Sequence, residues 1–75
     1  MDKVLFIYTI EYKVDLFDEA KCVDVYAYSK DLAYSFLDFH VGFVMVRKVI
    51  SSRVATENDI KYGLGLGTVI LKEVK

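Results

Sequence analysis

Apolar positions alternate along the first part of the chain. Val4, Phe6, Tyr8, Ile10, Tyr12, Val14 and Leu16 take every second place, while the positions between them begin apolar at Leu5 and Ile7 and turn polar at Thr9, Glu11, Lys13 and Asp15. A period of two is the mark of a β-strand. Its first half is predicted to be covered on both faces and central in a sheet, its second half covered on one. The run is longer than the roughly five or six residues of an ordinary strand, so a bulge or bend near Thr9 to Glu11 is expected. Residues 17–21 supply a turn, and with no Asn-Gly or Asp-Gly pair the hairpin register stays open.

The stretch from Cys22 to Ile50 holds three elements in succession. CVDVYAY alternates, with Val23, Val25 and Ala27 on one face and Cys22, Asp24, Tyr26 and Tyr28 on the other; the aliphatic face is expected to meet a helix. Ser29 is suited to cap that helix, because its hydroxyl can accept an otherwise unpaired backbone N–H, and Asp31 then faces the positive end of the helix dipole. Leu32, Ala33, Phe36, Leu37 and His40 form the predicted apolar stripe, with Lys30, Asp31, Ser35 and Asp38 on the wet side. Gly42 stands where a positive-φ residue would end the helix.

A strand over Phe43–Ile50 is expected to follow, running parallel to the second through a right-handed crossover. Within it Arg47 and Lys48 are adjacent and so point to opposite faces. Thr56 followed by Glu57, Asn58 and Asp59 reads as an N-cap with an acidic first turn, and Asp59 holds the place of a capping-box partner. One or two helical turns over 57–62 lead to GLGLG and a last edge strand over Thr68–Val74. The whole is a small α+β fold: an antiparallel or mixed sheet of about four strands in the order β-β-α-β(-α)-β, with one principal helix packed on one face. Many small α+β proteins with unrelated functions share this order, an analogy of fold that assigns no activity.

Length makes residues 1–75 a single domain. So short a chain buries a modest core, and with 55% apolar residues some of them are expected outside it. A homodimer is the natural supplement, since the single cysteine forms no internal disulfide. The lone Cys22 and the absence of a secretory leader fit a reducing cytoplasm. The apolar run from Val4 to Ile10 is too short for a membrane helix. Ten basic residues against eleven acidic ones argue against a general nucleic-acid binder, which would carry a basic excess.

Candidate chemistry is sparse, and each feature has an ordinary structural explanation. Gly63, Gly65 and Gly67 lack the strand-before, helix-after context of a phosphate-binding loop and read as a turn into the last strand. His40 lies at the helix end, where the dipole favours a positive charge. Together with Cys22 it makes no recognised metal site. Asp24, two places from Cys22 on the same strand face, opposes a thiolate there. No catalytic residue, metal or cofactor is assigned.

What remains is surface. Tyr12, Tyr26, Tyr28, Phe43 and Met45 are the predicted anchors of an aromatic-aliphatic sheet face, used for self-association and for a protein partner. This holds if the face is bare; the alternative is that the segment after Ser52 folds across it. A second functional reading puts single-stranded RNA on the same face, with bases stacked on Tyr26 and Tyr28 and the backbone held by Arg47 and Arg53. Asp24 and the near-zero net charge speak against that reading.

Overall fold

The N-terminal alternation resolves into two paired strands. The computed structural model describes residues 4–17, 19–42, 44–63 and 65–72, in which β1 spans Phe6–Lys13 and β2 spans Lys21–Ala27. They run antiparallel, with Phe6 opposite Ala27 and Tyr12 opposite Lys21. Residues directly opposite one another share a face. This register therefore puts Phe6, Tyr8, Ile10 and Tyr12 beside Val23, Val25 and Ala27, and Ile7, Thr9 and Glu11 beside Tyr26, Asp24 and Cys22. In the turn between the strands the Asp15 carboxylate accepts from the Phe17 N–H at 3.2 Å, the side-chain turn that Asp favours.

Helix α1 (Lys30–Val41) begins as its sequence predicts: Ser29 is extended, and its hydroxyl accepts from the Leu32 N–H at 3.2 Å. At the other end Gly42 takes φ 97°, and its N–H donates to the Asp38 carbonyl at 2.7 Å. The buried face is turned from the predicted stripe. Ala33 and Leu37 are fully buried, and Tyr34, Phe36 and Val41 pack against the core, whereas Leu32 and His40 are exposed. The physical reason is the spacing of Ala33, Leu37 and Val41: they stack one turn above another, and the small Ala33 lets the helix approach the strands.

Strand β3 (Val46–Val54) runs from a later start and to a later end than predicted. It pairs antiparallel with β1, so it points the same way as β2 but with β1 between them, a split β-α-β unit rather than adjacent parallel strands. Ser51, Ser52 and Arg53, which lie beyond the predicted end at Ile50, continue the ladder because β1 supplies partners in Thr9, Tyr8 and Ile7. A register shift falls at Thr9 and Ile10, as expected from the length of β1. The extra residue, however, is Ile50 on β3, since Thr9 faces Ser51 and Ile10 faces Val49.

Helix α2 (Glu57–Lys61) is short, and β4 (Val69–Lys72) closes the sheet at the edge beyond β2, so the order is β3-β1-β2-β4 with every pairing antiparallel. The turn before β4 uses Gly67 at φ 86°, against which the Phe36 ring is packed. The core lies between α1 and the sheet: Ile10, Tyr12, Val23, Val25 and Ala27 below, Ala33 and Leu37 above. No helix among the described residues is long and apolar enough to cross a membrane.

Candidate interaction surface

The hairpin register separates the tyrosines that the sequence groups together. Tyr12 points to the helix side and is 6% exposed; Tyr26 points to the opposite side and is 3% exposed. Both are therefore enclosed within the chain. Tyr28 lies just past β2 and is half-buried, Met45 is exposed just before β3, and Phe43 falls outside the described residues.

Tyr26 is enclosed by the segment after Ser52, the arrangement that the sequence left as the alternative to a bare face. Its hydroxyl donates to the Asp59 carboxylate at 3.2 Å. The other oxygen of that carboxylate accepts from the Thr56 N–H and the Thr56 hydroxyl, each at 2.8 Å, and from Arg53 at 3.4 Å. In return the Thr56 hydroxyl accepts from the Asp59 N–H at 3.4 Å. The predicted N-cap of α2 is thus a reciprocal capping box built with Asp. Hydrogen bonds from the Thr56 backbone and then the Thr56 hydroxyl, with Arg53 adding to them against the opposing effect of burial, hold Asp59 down to about 2 from 3.8. Burial, followed by the charge of Asp59, pushes the Tyr26 phenol above its ordinary value.

Of the four residues in the RNA reading, Tyr26 and Arg53 meet around Asp59, but the ring of Tyr26 has no open face to stack on. Arg47 sits across from Tyr12, on the opposite side of the sheet. Its guanidinium is bonded to Asp38 and lies over the Tyr34 ring, 4.7 Å from the centroid, so it is tied to α1 by charge and by a cation–π contact. The four are not brought onto one surface.

Tyr12 is not alone in facing away from Tyr26: the register puts Phe6, Tyr8 and Ile10, the even positions of the same alternation, on the helix side with it. There α1 packs mainly over β2 and β4, which leaves the β1–β3 half of that face partly open. Phe6 and Tyr8 are half-buried with ring centroids 5.9 Å apart, Val54 lies opposite Phe6 and is 53% exposed, and Val4 is exposed beside them. Together they form an exposed aromatic-aliphatic corner of the sheet. The signal for it was the even-position alternation from Val4; what was missing was the extension of β3 to Val54. A second exposed apolar group, Phe39, stands on the outer side of α1 at 92% exposure.

Elsewhere the recess at the end of α1, about 390 Å³, is lined by Asp38, Gly42, Val44, Met45 and Arg47. Cys22 is buried and forms no disulfide, His40 is exposed in the last helical turn, and no group of three or more metal-ligating side chains occurs among the described residues. Comparison with known proteins finds no family model that matches the chain, no matching curated protein and no matching solved structure.

Proposed function

We propose that this domain is a non-catalytic interaction protein that self-associates through the open corner of its sheet and receives a protein partner. The observation that carries the reading is the Phe6–Tyr8–Val54 corner, where two aromatic rings and an exposed valine stand together on the open β1–β3 half of the sheet. Apolar groups gathered on a surface mark association sites, because covering them removes their area from water. A small chain gains twice from this, since association also supplements a limited core. Tyr12 and Tyr26 act inside the fold in this reading, and Tyr8 and Phe6 take the anchoring role at the surface.

Light scattering coupled to size exclusion, over a concentration series, tests the proposal. The native chain is expected at twice the monomer mass or more, and Val54→Asp, which puts a charge into the corner at an exposed site, is expected to shift it to the monomer with its circular dichroism unchanged. A native chain that is monomeric at every concentration, or an assembly indifferent to Val54→Asp, overturns the reading.

A further inference from the structure

β3 is an edge of the sheet in a way that β4 is not. Among the described residues it is nine residues long against four, and no strand pairs with its outer side. An edge strand presents a row of backbone donors and acceptors to any chain that can lie extended beside it. Val46, Ile50 and Val54 are exposed along it, spaced four residues apart.

Its charges select among possible strands. β3 carries Arg47, Lys48 and Arg53 and no acidic residue. Their carboxylate neighbours all lie inboard: Asp38 on α1 bonds Arg47, Asp59 on α2 bonds Arg53, and Glu11 on β1 stands opposite Lys48. All three cations are exposed at the edge nonetheless, so a strand arriving from outside can reach them. Arg47 and Lys48 point to opposite sides of the sheet, so the complementary chain carries two adjacent carboxylates, one for each side, and a third at the far end for Arg53. Apolar residues belong opposite Val46 and Val54 and opposite the bulged Val49–Ile50 pair.

We propose that β3 is the docking edge for an extended, acidic and apolar segment of a partner protein, added to the sheet as a fifth strand. This rests on the reading of the domain as an interaction protein and names the partner's chemistry, but it uses the edge rather than the Phe6–Tyr8–Val54 corner. A second copy of β3 is the wrong occupant, because it brings three cations against three. The bulge at Ile50 and the charged edge act as guards against indiscriminate pairing, and opposite charges across the new strand pair supply the selection.

The test uses the full chain, isotopically labelled, and the synthetic peptide VETTVEEV, whose eight residues fall opposite Val54 to Val46 in an antiparallel pairing that passes over the bulged Ile50. The control is VKTTVKKV. Chemical shifts and hydrogen exchange of the β3 amides locate the peptide, and light scattering on the same samples reports self-association separately. The acidic peptide is expected to shift β3 amides and slow their exchange, with affinity at least about tenfold above the basic control, from three charge pairs of ordinary cross-strand strength. Lys48→Gln, at an exposed site outside the ties of Arg47 to α1 and of Arg53 to α2, is expected to lower that preference while leaving the fold intact. Equal binding of the two peptides, binding that leaves the β3 amides unmoved, or no binding at low salt overturns the proposal. A monomeric chain that still takes the acidic peptide on β3 removes the corner reading and leaves this one standing.

Discussion

Leu37 and Phe39 lie two residues apart on one helix and about 200° apart around it, and the structure gives them opposite duties. Leu37 is fully buried beneath α1, in contact with the β1–β2 core; Phe39 is almost wholly in water. Leu37→Ala deletes three buried carbons, worth about 2.4 kcal/mol at about 0.8 kcal/mol each. The space left behind adds to this, so a loss of about 3 kcal/mol is expected, within the range of about 2–5 kcal/mol for such truncations. A chain of 75 residues has a total stability on the order of 4–11 kcal/mol, so the change removes a large share of it. Urea unfolding followed by circular dichroism should show the midpoint falling by about 1–3 M. Phe39→Ala removes a larger side chain, yet it is expected to move stability by no more than about 0.5 kcal/mol, because the site is exposed and alanine is the better helix former. Equal losses for the two variants, or a loss below about 1 kcal/mol for Leu37→Ala, would refute the assignment of the buried face to Ala33, Leu37 and Val41.

The capping box of α2 makes stability depend on acid. Asp59 titrates at about 2 in the folded chain against an ordinary 3.8, so its contribution is complete above about pH 4 and drains away as the pH falls toward 2. Asp59→Asn is therefore expected to be destabilised relative to the native chain at pH 6, with the difference closing by pH 2; urea midpoints across that range check it, and a constant difference sinks the argument. Tyr26→Phe removes the hydrogen bond to Asp59 at a cost of about 1 kcal/mol near neutrality. Because the folded phenol holds its proton above its ordinary 10.0, the native chain loses the tyrosine's contribution as the pH rises beyond 10, and the variant should lack that share of alkaline destabilisation in the same assay.

Elements whose signals are local were legible before the fold was. Ser29 and Gly42 bound α1 because a hydroxyl and a missing Cβ answer needs of the adjacent backbone alone. The same holds for Thr56 and Asp59. The two faces of β2 could be read from alternation, and Val23, Val25 and Ala27 do meet the helix. Strand β3 was harder, since Ser51 and Ser52 have no strand signature of their own; they are held in the ladder by Thr9 and Tyr8, more than forty positions earlier in the chain. On α1 the spacing includes Leu32 and His40, whereas Tyr34 and Val41 are the residues packed on the core, because spacing marks an apolar sector while the sheet beneath decides which part of it is pressed inward.

The candidate surface depended on a still longer-range fact. Alternation puts Tyr26 with Cys22 and Asp24 on a face that looks semi-polar and open, yet Tyr26 is buried and its hydroxyl is bonded to Asp59, on a helix of five residues arriving from β3. With Tyr26 buried, and the register turning Phe6 and Tyr8 toward the other side, the free apolar area moves from the middle of the sheet to its β1–β3 corner. Surfaces are what folding leaves uncovered, so they inherit every uncertainty in register and connection, whereas caps and strand faces inherit almost none. Association through Val54 and strand addition along β3 accordingly probe the part of this chain that its local patterns determine least, and the opposite sides taken by Arg47 and Lys48 are the local feature that still constrains it.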